Sequence, residues 1–108
     1  MSASASHLFT GKWRIIEADI WDKEFLDLIE QAYIQFDDNG YGEFVVGAVT
    51  GSIDCAYSTL TASFNWAGND EMDEASGSGE AKIKEEGSLI IDLKFFRGDE
   101  VELKAVKK

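Results

Sequence analysis

The residues best suited to chemistry in this sequence are the carboxylates of one short acidic stretch. The segment Phe64–Glu80 has no clear periodicity, and strand-like sequence flanks it on both sides. Clustered carboxylates can bind a cation, contact a basic surface or take part in acid/base chemistry. The candidate partner-binding residues of this segment are Trp66, Asn69, Asp70, Glu71, Asp73 and Glu74.

The acidic stretch lacks the features that metal binding and catalysis require. Glu74 occupies the position of the glycine in an EF-hand loop, and no His or Cys cluster could bind zinc or copper. Spacing alone does not bring two carboxylates to opposite sides of a substrate, as a glycosidase needs. We therefore interpret the stretch as the one long irregular connection between strands, a structural loop in which Asp and Asn side chains bond the turning backbone and Trp66 anchors the loop in the core. Partner or ligand contact is the next interpretation, ahead of weak metal binding and catalysis.

The single histidine and the single cysteine add no catalytic constellation. His7 follows a small polar segment, and no nucleophile with a supporting motif is near it. Cys55 lies on an apolar strand face, which is typical of a small core residue. We therefore predict a protein that is not an enzyme, with no catalytic residue, no metal site and no cofactor.

Length and composition predict one folded domain. The chain has 108 residues, 44% of them hydrophobic, and no proline. We expect a disordered tail at 1–7 and a single domain at 8–108. A lone cysteine and a leader without basic and apolar regions suit a reducing cytoplasm. No apolar run approaches the roughly 20 residues of a membrane helix.

The charge is unevenly distributed along the chain. The formal net charge is -11, and no Lys, Arg or His lies between Lys23 and Lys82, a window that contains twelve carboxylates. Such a field repels nucleic acid and anionic membranes and attracts cations or basic protein surfaces. It also keeps a small protein soluble, which is the simplest interpretation. We therefore expect a basic protein surface or a small molecule as partner, with no direct binding of nucleic acid or membrane.

The first third of the chain predicts one strand and one helix. Gly11 opens a strand that runs to about Ile20, and apolar residues on both of its faces indicate that part of it is covered twice. Asp22 can then cap a helix from Lys23 to about Ala32. The predicted buried stripe of this helix consists of Phe25, Leu28, Ile29 and Ala32.

From Ala32 onward the hydrophobic period changes to two, which predicts strands joined by tight turns. Asp38-Asn39-Gly40 has hairpin chemistry, and Ser58-Thr59 forms a further turn. Gly47 and Gly51 interrupt strand sequence, as at a bulge or a close backbone approach. The fold predicted is mainly β: a curled antiparallel meander or small barrel of about eight strands, with one short helix after the first strand. We expect a filled interior containing Trp13, Phe36, Phe44, Phe64, Trp66 and Phe95.

The last third predicts a register for three strands. If 86–88 and 97–99 are three-residue loops, Ile83 pairs with Ile91, and Ile91 pairs with Ala105. This register places oppositely charged residues side by side on the outer face. The two charged rows are Lys82, Asp92 and Lys104, and Glu80, Lys94 and Glu102.

Two resemblances follow from short motifs. Gly11-Lys12-Trp13 is similar to the Gly-x-Trp opening of the calycins, the lipocalin and avidin group of ligand-binding barrels, although the final strand has Lys104 and Lys107 where that group packs an Arg on the Trp. The resemblance implies a barrel and a small ligand. The chain also resembles, over nearly its whole length, a small bacterial family with no assigned function, which implies no activity. The stretches that carry this second resemblance are 11–17, 21–22, 42–44 and 64–73.

The function predicted is that of a non-catalytic binding module that recognises a protein or small ligand through an acidic surface. An open cavity would support a calycin-like barrel for small ligands, whereas a closed interior with an acidic patch favours a protein-interaction module. A third alternative, an acidic mimic of nucleic acid, requires carboxylates along one elongated face. An enzyme dependent on carboxylates is the least favoured alternative.

Overall fold

Eight antiparallel strands form a closed barrel in the computed structural model, which describes residues 8–96 and 98–108. Every strand pairs with its neighbours in sequence, and β1 pairs with β8 to close the ring. The predicted mainly β barrel with one short helix after the first strand is confirmed, whereas the predicted tail at 1–7 and His7 lie outside the described residues. The elements are β1 Gly11–Ala18, α1 Lys23–Leu26, β2 Tyr33–Phe36, β3 Tyr41–Val46, β4 Val49–Tyr57, β5 Thr61–Asp70, β6 Asp73–Ile83, β7 Leu89–Phe95 and β8 Glu100–Lys107.

The interior is filled by side chains, as the sequence predicts. Inward-facing apolar residues of successive strands form one cluster, in which Trp13, Phe44 and Phe64 are at most 4% exposed. Phe36 and Trp66 are also buried, and Phe95 packs against the cluster. Cys55 is a partly buried neighbour of the same core. An eight-stranded barrel is just wide enough for such side chains to fill it.

Gly47 and Gly51 have different roles. Gly47 has φ +60° and, with Ala48, forms the two-residue turn between Val46 and Val49, so it does not mark a bulge. Both glycines mark a close approach, because an added Cβ would lie 2.5 Å from the Phe25 ring at Gly47 and 2.8 Å from the Phe44 ring at Gly51.

The segment 64–80 is not a long irregular connection, and that prediction is wrong. It lies in β5 and β6, the two longest strands, which are joined by the two-residue turn Glu71–Met72. The Ser-Gly-Ser-Gly sequence of 76–79 is strand because its glycines lie beside aromatic rings. A Cβ on Gly79 would lie 2.4 Å from the Phe64 ring, and a Cβ on Gly77 would lie 2.8 Å from Trp66 Nε1. Aromatic side chains of the neighbouring strand occupy the space that larger residues would fill.

The predicted register of the last three strands is wrong by two residues in each hairpin. Ile83 pairs with Leu89, and Ile91 pairs with Leu103. In the first turn, Lys84 N–H donates to Ser88 O over 2.8 Å and Gly87 N–H donates to Lys84 O over 2.9 Å. Gly87, with φ +95°, is therefore the third loop residue and not the second, because a type I turn followed by a left-handed glycine places that glycine last.

The second of these hairpins has the same hydrogen-bond pattern. Phe95 N–H donates to Asp99 O over 2.9 Å, and Gly98 N–H donates to Phe95 O over 3.0 Å. Because a shift of two residues keeps each side chain on its face, the predicted inner face is retained while the outer charges change partners. The outer rows become Lys82, Ile90 and Lys104, and Glu80, Asp92 and Glu102.

The predicted helix from Lys23 to Ala32 is shortened to the single turn Lys23–Leu26. Asp22 caps it as predicted, since its Oδ1 accepts the Phe25 N–H over 2.9 Å. Leu26 is the buried residue, whereas Leu28 and Ile29 of the predicted stripe are 58% and 53% exposed. After the turn, Asp27 Oδ1 accepts the Ala32 N–H over 2.9 Å, which leads the chain into β2.

The two-sided hydrophobicity of the first strand comes from a β-bulge and not from a second covering layer. The pairing of β1 with β8 shifts between Ile15 and Glu17. The shift returns Ala18 to the core side, where it packs against the central cluster. Ile20 lies beyond the strand and is 52% exposed.

The barrel has two unlike ends. The helix end carries α1, the turns 47–48 and 71–72, and the connection from β7 to β8; the opposite end carries the turns 38–40, 59–60 and 85–87. Phe9 closes the opposite end, where its ring lies 5.7 Å from the Phe36 ring. The Phe9 carbonyl accepts a hydrogen bond from Trp13 Nε1–H over 2.9 Å. Lys107 Nζ lies 4.8 Å from the centroid of the Trp13 ring.

Across the described ranges, helices are too short and too polar to cross a membrane.

Candidate functional site

The acidic residues singled out in the sequence form the tip of the longest hairpin. Asp70 and Asp73 pair across the turn, and Glu71 has the left-handed φ of +59° between them. Glu71 N–H donates to Ala48 O over 2.9 Å, which fixes this turn against the neighbouring turn of β3 and β4. Met72 is 97% exposed at the tip. The turn is therefore held in place at the helix end while its side chains face outward.

A groove of about 300 Å³ lies beside this turn at the helix end, and we call it the end groove. It runs between the β5–β6 turn and the β7–β8 turn, with Trp21 from the segment after β1 on one side. Aromatic rings supply its apolar surface and carboxylates its rim. The described residues that line it are Trp21, Asp70, Asp73, Glu74, Ala75, Ser76, Phe95, Phe96, Gly98 and Asp99.

A series of aromatic rings connects the end groove to the core. The Phe44 and Trp66 rings lie 5.2 Å apart, and the Trp66 and Phe95 rings lie 5.2 Å apart, both edge to face. Phe95 in turn contacts Trp21 at 6.4 Å with 78° between the ring planes. Edge-to-face contacts of this kind stabilise beyond the area that they bury. The aromatic surface of the groove is therefore supported from within the barrel.

Trp66 is a core residue at the root of the acidic stretch, as the sequence predicts. Its side chain is 3% exposed, and its Nε1–H donates to Lys94 O over 3.2 Å. Gly77 lies opposite Trp66 in the ladder and leaves room for the Trp66–Phe95 contact. Trp66 is therefore placed to position the groove from behind and not to touch a ligand.

The six candidate residues do not form one constellation. Asp70, Asp73 and Glu74 line the end groove, Glu71 lies at the tip, and Trp66 is in the core. Asn69 instead lines a second groove, of about 290 Å³, on the outer face of β2 to β5. Residues of the acidic stretch therefore line two different grooves on the hairpin.

The carboxylates of the end groove are exposed and lack cationic partners among the described residues. Over 8–96 and 98–108, the ion pairs are Lys82–Glu80 and Lys94–Glu100, each at 3.8 Å, and neither includes a groove carboxylate. No group of three Asp, Glu, His or Cys side chains in these ranges is arranged to bind a metal ion.

The second groove contains a tyrosine whose pKa is raised. Tyr33 OH donates a short hydrogen bond to Glu43 Oε2, and Lys12 Nζ lies 4.1 Å from the centroid of the Tyr33 ring. The bond to Glu43, followed by burial, raises the pKa of Tyr33 to about 12. Tyr33 is therefore protonated at neutral pH and acts there as a hydrogen-bond donor.

The interior thiol is not activated. Burial is the main cause that raises the pKa of Cys55 to about 11, so the thiol is protonated at neutral pH. Burial likewise raises the pKa of Tyr57. Nucleophilic cysteines have lowered pKa values, which is the opposite of what is found here.

Sequence reasoning missed Trp21, Phe95, Phe96 and Asp99 as lining residues of the groove. The signal was present in the topology: in an up-and-down barrel, alternate turns meet at the same end. The β5–β6 and β7–β8 turns therefore converge, although about 25 residues separate them in the chain. The adjacent aromatic residues Phe95 and Phe96 at the end of β7 mark the place.

Comparison of the chain with protein-family models, curated proteins and solved structures found no match. The class defined by the coordinates is a closed, eight-stranded, up-and-down antiparallel barrel with a filled interior and an aromatic, acid-rimmed groove at one end.

Proposed function

We propose that the protein is a non-catalytic binding module that holds a basic segment of a partner protein in the end groove. The observation that carries this proposal is the combination of an aromatic floor with four rim carboxylates that have no described cationic partner. The aromatic rings supply apolar contact area, and the rim supplies charge complementarity and faster encounter with a basic partner.

The filled interior supports a protein partner over a small ligand held inside the barrel. The central positions of the inward face are occupied by buried side chains, including Trp13, Phe44, Phe64 and Trp66. The apolar and acidic surface available for recognition is at the helix end. The same distribution favours a local acidic groove over a nucleic-acid mimic, for which charge along one elongated face would be required.

The test uses a fluorescein-labelled peptide of Lys, Leu and Gly and measures binding by fluorescence anisotropy at low salt. The groove variant is D70N/D73N/E74Q. The control variant, D38N/D54N/E85Q, removes the same charge from exposed residues near the opposite end. We expect the control to bind like the unmodified protein and the groove variant to bind about tenfold more weakly, because each lost charge contact contributes up to about 1 kcal/mol.

Two results would overturn the proposal. Equal weakening by both variants would mean that only the general negative field attracts the peptide. Absence of binding to the unmodified protein at low salt would remove the groove as a site for basic segments.

A further inference from the structure

Exposed apolar side chains are grouped on two segments at the helix end. Leu28 and Ile29, just after α1, are each more than half exposed, and Met72 is the most exposed large apolar side chain among the described residues. A single exposed apolar residue is ordinary, whereas several at one end of a barrel are typical of an interaction surface.

Backbone hydrogen bonds place these two segments in one row. The Leu26 carbonyl accepts the Gly47 N–H over 2.8 Å, and the Ala48 carbonyl accepts the Glu71 N–H over 2.9 Å. The turn 47–48 therefore lies between α1 and the hairpin tip and contacts both. Because neighbouring strands are about 4.8 Å apart, two adjacent hairpins of the barrel are centred about 10 Å apart.

We propose, building on the function proposed above, that the basic segment of the partner is an amphipathic α-helix that lies along this row, with one end at the rim of the end groove. Apolar side chains at positions i, i+4 and i+7 of a helix share one face and span about 10 Å. A helix of about three or four turns is therefore long enough to contact Met72 together with Leu28 and Ile29.

The closed ring favours a helix over an added strand. A segment that binds as an extra strand requires an exposed sheet edge. Here each strand pairs with a neighbour on both sides, because β1 pairs with β8. The partner is therefore held by its side chains, and a helix with one apolar face presents several of them together.

The charge of the two segments complements a basic polar face on this helix. Residues 20–32 and 69–74 contain four carboxylates each and, between them, one basic residue, Lys23. Glu30 is exposed beside Ile29, and Glu71 is exposed beside Met72. Lysine or arginine side chains that flank the apolar stripe can therefore face carboxylates at both ends of the row, which an acidic helix could not approach.

The test compares two labelled peptides of about 18 residues with the same numbers of Lys and Leu, long enough to form a helix on binding. One has its leucines on a single helical face, and the other has them on all sides. We expect the first peptide to bind about tenfold more tightly by anisotropy, because only its leucines can be buried together. Circular dichroism should show that it gains helix on binding.

Matched variants locate the effect. Met72→Ser and Leu28→Ser should each reduce the preference for the one-faced peptide to less than about threefold, because each removes apolar contact area. Leu60→Ser, at a residue that is 50% exposed at the opposite end, should leave the preference unchanged. All three side chains are exposed, so none of these changes should prevent folding.

The outcomes separate this inference from the proposed function. Equal binding of the two peptides, lost in D70N/D73N/E74Q, would overturn the helix inference and leave the proposed function standing. A preference that Met72→Ser and Leu28→Ser leave intact, or binding without a gain of helix, would also overturn the helix inference. Failure of both peptides to bind would overturn both proposals.

Discussion

At the scale of single residues, Gly77 and Gly79 illustrate how composition misleads. The segment 76–79, in which serine and glycine alternate, belongs to the stretch for which the sequence predicts an irregular connection. In the barrel, the same glycines lie beside Trp66 and Phe64, whose rings occupy the missing side-chain volume. The local sequence does not contain this information, because the aromatic partners lie on a neighbouring strand.

Gly77→Ala should lower the free energy of unfolding by about 3 kcal/mol, because overpacking forces the backbone or the rings to move. An added Cβ would lie 1.8 Å from Lys94 O and 2.8 Å from Trp66 Nε1, the two atoms that share a hydrogen bond. Urea unfolding measures the change. Ser78→Ala, one position along the same strand, is the control and should change stability by less than about 0.5 kcal/mol; equal losses would contradict this account.

Glu43→Gln should lower the pKa of Tyr33 from about 12 toward the ordinary tyrosine value of 10.0, because the hydrogen bond to the Glu43 carboxylate is the largest cause of the shift. The ring-carbon NMR shifts of Tyr33, followed against pH, measure this change. Asp54→Asn removes one charge from a neighbouring strand without touching Tyr33 and is the control. An unchanged Tyr33 titration in Glu43→Gln would show that the carboxylate is not the cause.

The direction of this shift also fixes its effect on stability. The folded pKa of Tyr33 lies above the unfolded value, so folding favours the protonated hydroxyl. The stabilisation is complete below pH 10 and is lost as the pH rises from about 10 to about 12. Urea unfolding in this window should show a smaller pH dependence for Tyr33→Phe than for the unmodified protein.

At the scale of elements, the position of glycine in each hairpin loop determines whether the strand register is predicted correctly. Asp38-Asn39-Gly40 was placed correctly, with Gly40 at φ +90° as the third loop residue. The two later hairpins have the same hydrogen-bond pattern, but the register predicted from sequence places glycine at the middle loop position there. The predicted faces were right and the cross-strand partners were wrong, because a two-residue shift preserves the alternation.

Asp92→Lys distinguishes the two registers. Asp92 pairs directly with Glu80 and with Glu102, so a lysine there replaces two repulsive neighbours with attractive ones. We expect a gain of about 1 kcal/mol in the free energy of unfolding at low salt, which shrinks at high salt. In the register predicted from sequence, the lysine would lie between Lys82 and Lys104 and destabilise the fold.

A control is needed for the overall change in charge. Asp38→Lys alters the net charge equally but lies in the β2–β3 turn, away from the row of Glu80, Asp92 and Glu102. A gain in Asp38→Lys as large as that in Asp92→Lys would mean that net charge, and not register, is responsible.

The helix was overestimated because a hydrophobic period is not sufficient for burial. Phe25, Leu28, Ile29 and Ala32 have helical spacing, yet the chain leaves the helix after Leu26. Two contacts fix the chain just after this single turn: the Leu26 carbonyl accepts the Gly47 N–H over 2.8 Å, and Asp27 Oδ1 accepts the Ala32 N–H over 2.9 Å. Tertiary contacts therefore end the helix before its hydrophobic pattern ends.

At the scale of the whole molecule, sequence alternation and glycine placement were sufficient to predict the barrel and its filled core. They were not sufficient to predict the site. The end groove combines Trp21 with residues 70, 73–76, 95–96 and 98–99, and its existence depends on which turns meet at one end. The acidic stretch pointed to one wall of the groove, whereas the aromatic walls required the closed topology.

Closure of the barrel by β1 and β8 also determines at what stage of folding the end groove forms. Strands β1 and β8, which close the barrel, are separated by most of the chain, and such distant contacts form slowly because a long loop must first be ordered. Trp21 reaches Phe95 only when the segment after β1 and the end of β7 lie at the same end of the barrel. A chain released before β7 is complete would display the acidic hairpin without its aromatic wall, so the end groove is complete only at a late stage of folding.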